Sequence, residues 1–317
     1  MNTILVTGGC GLIGKHICSG LLKKGNKVIA VDEKENNYNT GKLNYSFIQS
    51  APDDSDSFEE IFRKENIDIV VHAACTVDND FEPVITETQM VISGECDKFI
   101  YESAMNNGVK MFILLSTDQL YEFTKSREPL REESRLKPVT NYANMKFESE
   151  KAFVRQLQGH KDVIACIIRY SPVYSLKFID NLTAKITDPK DNVKFVSGTG
   201  QYGFQLCCIH NLVDFILCFV RYAEDTSYTG TYNVADKHPT TASQIIAFMR
   251  EHYHLGTVIS RNAGGALSKI KGMFSKNPEE KENYRYLDMS RLEYNNMLDC
   301  TKASKIVVFR WDINNTK

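Results

Sequence analysis

The chain has 317 residues, of which 42% are hydrophobic and 25% are charged, a composition typical of a globular protein with a sizeable core. Its formal net charge of −2 argues against nucleic acid or an anionic membrane surface as the main partner, because both select for an excess of Lys and Arg. A small molecule is therefore the expected partner, and the length permits an enzyme.

The first half of the chain alternates short apolar runs with longer amphipathic segments. This pattern is typical of βαβ units and of a parallel sheet covered on both faces, so we expect a doubly wound α/β fold. Strands are predicted at 3–7, 27–31, 45–49, 67–72, 111–116 and 163–169, and helices at 12–24, 58–65, about 84–107 and 142–157.

Beyond Ser171 and Pro172 this alternation weakens, and glycines separate shorter elements. The sequence thus predicts a larger domain over 1–174 and a smaller α/β domain over 175–317, from which segments can return to the first domain.

Three polar segments are predicted to lie at the surface. The stretches 33–40 and 275–283 have the composition of loops or turns. The segment 262–276 is basic and contains glycines, which suits either a flap over a phosphate-bearing substrate or a solvated loop. The loop is the favoured interpretation.

Cysteine usage indicates a reducing compartment. Nine cysteines, an odd number without a C-x-x-C pair, fit reduced thiols better than a disulfide framework. The N-terminus enters a strand-like segment directly, unlike a signal peptide, and no apolar run is long enough to span a membrane. We therefore expect a cytoplasmic protein. His252 and His254 lack the neighbours of a metal site, so no metal is expected.

A glycine-rich segment joins the first predicted strand to the first predicted helix. Gly8 can adopt positive φ in the tight turn, Gly11 allows a pyrophosphate to approach the backbone, and Gly14 lets the helix lie close to the sheet. The phosphates would then meet the free N–H groups at the start of the helix, next to Leu12 and Ile13. This spacing predicts a dinucleotide-binding site of the Rossmann type over 1–174.

An acidic residue supports this interpretation. Asp32 closes the second predicted strand, from which a carboxylate can accept hydrogen bonds from the adenosine ribose hydroxyls. The same charge repels a 2′-phosphate, so NAD is expected rather than NADP. Asp53 or Asp56, after the third strand, are candidates for contact with adenine, although polar residues are common in any loop.

A tyrosine and a lysine at i and i+4 form the candidate catalytic pair. Tyr142 and Lys146 lie on one face of a predicted helix. A free phenol ionises near pH 10, so proton exchange at pH 7 requires a shift of about 2 to 3 units. Lys146 and the positive nicotinamide of NAD⁺ are expected to supply that shift together. Thr117, at the carboxyl end of the fifth strand, can hydrogen-bond a substrate oxygen.

With these residues in place, the chain resembles the extended short-chain dehydrogenase/reductases, and specifically the NAD-dependent epimerase/dehydratase family that acts on nucleotide sugars. The likeness is strongest over the first 175 residues. Besides the glycine-rich turn and Y-x-x-x-K, it is carried by segments 68–74, 116–121, 137–138, 167–169, 172–174, 231–235 and 287–292.

The resemblance implies roles for individual residues. Thr117, Tyr142 and Lys146 would form the catalytic trio, with Tyr142 taking a proton from a sugar hydroxyl while hydride passes to NAD⁺. The segment His72, Ala73 and Ala74 would line the cofactor channel. The second domain would bind the nucleotide sugar, and the helices at 84–107 and 142–157 would form a homodimer interface.

Several positions depart from the family pattern. The 4,6-dehydratases of the family have an acidic Asp and a basic Glu after the Thr, whereas here Asp118 is followed by Gln119, which cannot abstract a proton. Asp118 stays a candidate catalytic residue. Val91 stands where the family usually has Asn, three residues before a helix glycine, here Gly94. Phe204 replaces an arginine often used on the diphosphate, and His210 and Asn211 replace two acids.

These departures leave three functions open. The leading hypothesis is an NAD-dependent epimerase or reductase, or a dehydratase-like enzyme, acting on a nucleotide-activated sugar. A hydroxysteroid or dihydroflavonol-type oxidoreductase is the second, because Phe204 and the scarcity of arginines permit it. The third is a non-catalytic protein that senses NAD, against which the intact Thr117, Tyr142 and Lys146 argue.

Overall fold

The structure is a computed structural model that describes residues 1–36, 38–39, 41–51, 53–75, 85–122, 125, 128–188, 191–261 and 297–317. The predictions for 262–276 and 275–283, the start of the helix predicted from 84 and the family-like segment 287–292 lie outside these residues. The strands are β1 Thr3–Thr7, β2 Lys27–Asp32, β3 Tyr45–Gln49, β4 Ile69–His72, β5 Met111–Leu115, β6 Ile164–Tyr170, β7 Val173–Tyr174, β8 Phe195–Ser197, β9 Gly203–Phe204, β10 Cys207–Cys208, β11 Gly230–Val234, β12 Thr240–Thr241 and β13 Ile259–Arg261. The helices are α1 Leu12–Lys23, α2 Ser55–Lys64, α3 Glu87–Asn106, α4 Asn141–Leu157, α5 Asp180–Ala184, α6 Ile209–Phe219, α7 Ala242–His252 and α8 Thr301–Ser304.

A seven-stranded parallel sheet forms the core, in the order β11-β6-β5-β4-β1-β2-β3. All six predicted strands are present, and the prediction of a doubly wound parallel sheet is confirmed. The order reverses beside β1, since β1 pairs with β2 on one side and with β4 on the other. Ligands of such sheets bind at this switch point, outside the carboxyl ends of the strands.

Alternate residues of each strand pack into two apolar layers, one on each face of the sheet. Ile4 and Val6 of β1 pack with α1 and α6, whereas Leu5 packs with α2, α3 and α4. Because both faces are covered, β1, β2, β4, β5 and β6 are largely apolar and buried, which explains why they could be predicted from continuous apolar runs. The edge strand β3 is partly exposed.

Helix ends follow local capping residues. The Asp54 carboxylate accepts the Ser57 N–H at 3.1 Å, so α2 begins three residues before the predicted start at 58. A capping box of Thr86 and Gln89 starts α3. The strand predicted from 67 begins at Ile69, and the strand predicted to 116 ends at Leu115.

The second half of the chain contributes to the same sheet. The strand β11, which was not predicted, pairs in parallel with β6, and α6 packs on α1, where Leu217 lies close to Gly20. A separate apolar cluster joins α7 with Tyr174, Leu182 and Phe204. The division into domains at residue 174 stays a prediction. Within the described ranges, none of the helices combines the length and apolar character needed to cross a membrane.

Candidate active site

The glycine-rich turn packs so tightly that side chains would disrupt it. Gly8 has φ +67°, and a Cβ there would lie 2.8 Å from the Ala74 backbone. A Cβ on Gly14 would lie 2.0 Å from the Gly8 carbonyl oxygen. The turn is closed by the Gly11 N–H, which donates to the Gly8 carbonyl at 3.1 Å. Glycine is therefore required at Gly8 and Gly14.

The start of α1 offers free backbone donors. Gly11 occupies the N-cap position, no side chain among the described residues caps the helix there, and the first turn holds no acidic residue. The N–H groups of Leu12, Ile13 and Gly14 thus lack intrahelical partners, and the helix dipole favours an anion beside them. These residues line one cavity with Gly8, so this cradle fits the pyrophosphate of a dinucleotide.

Asp32 lies in the same cavity, at the end of β2. Its carboxylate accepts the Cys10 N–H at 2.8 Å and the Lys34 N–H at 3.0 Å, one on each oxygen. These bonds fix the carboxylate and leave each oxygen a second lone pair, which suits two ribose hydroxyls. Asp53 is exposed and does not line the cavity.

The segment after β4 forms the floor of the cavity, where His72, Ala73 and Ala74 all lie. The buried His72 ring contacts the Thr7 hydroxyl through Nδ1 at 2.7 Å and the Asp97 carboxylate through Nε2 at 2.9 Å. Both nitrogens of the imidazole are thus hydrogen-bonded within the protein, and His72 has a structural role in the lining of the cavity.

The three residues predicted to be catalytic line the same cavity. Thr117 follows β5, while Tyr142 and Lys146 project from the first turns of α4, and all three line the cavity. The Thr140 hydroxyl caps α4 by accepting the Ala143 N–H at 3.0 Å. The buried Lys146 ammonium donates to the Leu115 carbonyl at 3.3 Å, which holds it at the end of β5.

The protein alone does not acidify the phenol. Burial, followed by the neighbouring Tyr170, Cys75 and Asp118, raises the pKa of Tyr142 well above its ordinary value. An additional positive charge is needed for the phenolate to form near neutral pH, and a nicotinamide cation would provide one.

Asp118 is a buried carboxyl group next to Thr117. Burial raises its pKa to about 6, and this rise is limited by Ser171, Lys185 and Thr117. A carboxyl group with such a pKa can donate a proton near neutral pH. Gln119 also lines the cavity and has no acid–base chemistry to offer.

One wall of the cavity was not predicted from the sequence. Ser93, Cys96, Asp97 and Ile100 of α3 line it together. Their spacing of three and four residues places them on one helix face, which is the signal that could have identified them. Further lining residues outside the predicted set include Glu33, Lys34, Ser50, Phe58, Cys75, Tyr170, Phe178 and Asn181.

Of the positions that depart from the family pattern, Gln119 lines the cavity, whereas Val91, Phe204, His210 and Asn211 do not. Val91 is 59% exposed, and the cavity is lined instead by Ser93, two residues further along α3. Phe204 is buried in the cluster around α7. Asn211 is structural, since its amide donates to Asp236 and to the Trp311 carbonyl, each at 2.8 Å.

In the described part of the chain, no group of three or more His, Cys, Asp and Glu side chains is arranged to hold a metal ion. All nine cysteines are free thiols. The absence of a metal stays a prediction.

The fold and the cavity define a dinucleotide-binding protein of the short-chain dehydrogenase/reductase class. The chain belongs to the NAD dependent epimerase/dehydratase family, whose model matches residues 4–235. This membership confirms the resemblance expected from the sequence and, at the level of the family, the prediction of NAD.

Curated relatives include nucleotide-sugar enzymes. The chain is 39% identical over 132 residues to the dTDP-D-glucose 4,6-dehydratase of Dictyostelium discoideum, covering 38% of this chain and 30% of that protein. It is 31% identical over 182 residues to the Mus musculus dTDP-D-glucose 4,6-dehydratase, covering 54% and 50%. It is 28% identical over 185 residues to the probable UDP-arabinose 4-epimerase 3 of Oryza sativa subsp. japonica, covering 53% and 43%. The chain thus matches half or less of the length of each relative.

Solved structures share the fold. The UDP-glucose 4-epimerase of Thermotoga maritima, solved with UDP-glucose, has a TM-score of 0.65 at 21% identity and covers 96% of this chain and 91% of its own. The UDP-Glc/GlcNAc 4-epimerase of Campylobacter jejuni has a TM-score of 0.69 at 19% identity, and the match covers 96% of this chain and 98% of that enzyme. The Bordetella bronchiseptica enzyme WbmG, solved with NAD, has a TM-score of 0.67 at 15% identity, covering 96% and 87%.

Proposed function

We propose that this chain is an NAD-dependent enzyme that epimerises or reduces a nucleotide-activated sugar by reversible hydride transfer. The observation that carries the proposal is that Thr117, Tyr142 and Lys146 line the same cavity as the glycine-rich turn. The names of its relatives suggest the substrate class, since they include UDP-sugar epimerases and dTDP-D-glucose dehydratases.

The side chains divide the chemistry between them. NAD, when bound, supplies the acceptor for a hydride from the sugar carbon. Tyr142 accepts the hydroxyl proton as that carbon becomes a ketone, and returns it when the alcohol is restored. The Thr117 hydroxyl stabilises the developing charge on the same oxygen, and the Lys146 ammonium favours the phenolate form of Tyr142.

Complete dehydration is the second candidate function, and Asp118 favours it. A buried carboxyl with its pKa raised to about 6 can protonate a leaving hydroxyl. Elimination also needs a base to remove a carbon-bound proton, and Gln119 is unable to act as one. We therefore favour a reaction that either stops at the ketone or reduces the ketone back to an alcohol.

A panel of UDP- and dTDP-hexoses, incubated with the NAD-loaded protein and separated by chromatography, tests this proposal. We expect conversion of at least one sugar, and a loss of about 10²-fold or more in rate for Tyr142→Phe with NAD affinity retained. Tyr222→Phe, a surface tyrosine stacked on Tyr228, is the matched control. Turnover of a steroid or flavonoid ketone with none on any nucleotide sugar would overturn the substrate class. NAD binding without turnover on either panel would favour an NAD sensor.

We also propose a homodimer with the outer faces of α3 and α4 at its interface. Val91 and Val154 are 59% and 49% exposed on these helices. Light scattering should show a dimer for the wild type and a monomer for Val154→Glu. Val308→Glu, at a position 78% exposed elsewhere, should stay dimeric. A monomeric wild type would refute the proposal.

A cytoplasmic location is proposed because all nine cysteines are free thiols. Cell fractionation tests it, and recovery of the protein from a secretory compartment would refute it.

A further inference from the structure

A buried carboxylate lines the same cavity as Lys146. Asp97 is 6% exposed and belongs to the face of α3 that lines the cavity. Its neighbours on that face, Ser93, Cys96 and Ile100, carry no charge. A carboxylate in such a place costs several kcal/mol unless it is paired and hydrogen-bonded, so its partners must explain its presence.

A hydrogen-bond chain links Asp97 to the cofactor-binding turn. The Thr7 hydroxyl accepts the Ala74 N–H at 3.3 Å and lies 2.7 Å from His72 Nδ1. With the Thr7 hydroxyl donating to Nδ1, the proton of the neutral ring resides on Nε2, which donates to Asp97 Oδ1 at 2.9 Å. The Thr7 hydroxyl, both ring nitrogens of His72 and Asp97 Oδ1 are then all hydrogen-bonded. Asp97 is thereby fixed relative to the strand that leads into Gly8.

The carboxylate is charged at neutral pH. Although burial opposes ionisation, the hydrogen bond from His72 and the charge of Lys146 hold the pKa of Asp97 below its usual value. Ser149 of α4 also lies beside the carboxylate, and its hydroxyl is 2.7 Å from the Tyr101 hydroxyl. The groups of the described chain that face Asp97 are thus His72 from β4, Lys146 and Ser149 from α4, and Tyr101 from α3, with Glu150 beyond Tyr101.

Lys146 is a buried ammonium at the end of the cavity that holds Tyr142. An unopposed ammonium there would make the local potential strongly positive. A nicotinamide ring is positive when oxidised and neutral when reduced, so that potential would disfavour the oxidised cofactor. Asp97, which lines the same cavity, offsets the charge of Lys146.

We propose that Asp97 is a positioning residue that holds His72 in place, offsets the charge of Lys146 and shifts the dinucleotide preference of this cavity toward the oxidised form. The proposal rests on the binding of NAD in the proposed function. It explains how one cavity can keep a cationic lysine next to the phenol and still accept a cationic nicotinamide ring.

The affinities of NAD⁺ and NADH for Asp97→Asn, measured separately by calorimetry, test this role. The amide oxygen of Asn can still accept from His72, so the substitution removes the charge and conserves the main hydrogen bond. If the Asp97 carboxylate and the oxidised nicotinamide ring are taken as roughly 10 Å apart at an effective dielectric constant of about 20, the ratio Kd(NAD⁺)/Kd(NADH) should rise about tenfold. A merely structural role would weaken both forms alike and leave the ratio unchanged, which would overturn the proposal.

Two further variants complete the test. Glu95→Gln removes the same charge from an exposed position of α3 and should leave the ratio unchanged. Lys146→Met leaves Asp97 unopposed and should move the ratio in the opposite direction, so it tests the proposal even if Asp97→Asn does not fold. A ratio that rises in Lys146→Met would also contradict the proposal. If the wild type binds neither dinucleotide, the proposed function fails instead.

Discussion

Replacement of Gly14 by alanine tests the cofactor-binding turn. The added Cβ would lie 2.0 Å from the Gly8 carbonyl oxygen, 2.8 Å from the Gly8 carbonyl carbon and 2.9 Å from Gly9 Cα. All three are backbone atoms, so no side-chain rotation can relieve the contact. Since an ordinary C···O separation is at least about 3.3 Å, the turn and the helix must move apart by roughly 1.3 Å.

Such a displacement removes the donors at the start of α1 from hydrogen-bond range of a phosphate oxygen. The loss of two hydrogen bonds to a charged group costs roughly 3 to 6 kcal/mol, which corresponds to about 10² to 10⁴-fold in affinity. Calorimetric titration with NAD⁺ measures this loss. Crowding of the turn also costs about 1 to 3 kcal/mol in the free energy of unfolding, which thermal denaturation measures.

Gly94→Ala is the matched control. A Cβ on Gly94, inside α3, meets no atom within 4 Å. This variant should bind NAD⁺ like the wild type and gain up to about 1 kcal/mol in stability, because alanine is the better helix former. If Gly14→Ala binds NAD⁺ within about threefold of the wild type, the turn does not hold the pyrophosphate and the reasoning is refuted.

Two further variants probe buried charges. Asp118→Asn should change the pH dependence of stability. Burial raises the pKa of Asp118 from 3.8 to about 6, so the folded wild type binds an extra proton between these pH values. The free energy of unfolding of the wild type therefore falls by up to about 3 kcal/mol as the pH rises from the lower value to the higher one. Urea denaturation should show that, from pH 4 to pH 7, the free energy of unfolding of the variant rises by about that amount relative to the wild type. The same change with pH in both proteins would contradict the raised pKa of Asp118. Glu150→Ala leaves the buried Arg169 guanidinium, bonded at 2.7 and 3.0 Å in the wild type, without its carboxylate. It should lower the free energy of unfolding by about 3 to 5 kcal/mol, and a loss below about 1 kcal/mol would contradict the burial of this pair.

Much of the fold could be predicted because its determinants are local. The strands β1, β2, β4, β5 and β6 are largely apolar runs buried on both faces, and the helices between them have amphipathic periods with clear ends. The strand β11 was missed because its sequence, Gly-Thr-Tyr-Asn-Val, lacks such a run. Its place in the sheet depends on pairing with β6, a contact distant in the sequence.

Some residues of the candidate site could likewise be predicted from the sequence, and others could not. Gly8, Gly14 and Asp32 could be predicted because their roles follow from the backbone of one βαβ unit. Asp97 could not, since a carboxylate within an amphipathic helix usually faces solvent. Only the packing of α3 against α4 places it beside Lys146 and His72. The raised pKa of Tyr142 was also unforeseen, because its main cause is burial of the phenol, which depends on tertiary packing.

In the proposed mechanism, the cavity holds NAD at a place where NAD exchanges hydride with a nucleotide sugar. The most direct test mixes the NAD-loaded protein with a nucleotide sugar that is fully deuterated in its hexose, quenches with alkali within one turnover and examines the reduced cofactor by mass spectrometry. We predict a reduced nicotinamide carrying one deuterium atom from the sugar, and a strong decrease of this species in Tyr142→Phe. A bound sugar that leaves the cofactor entirely oxidised and unlabelled would contradict the account.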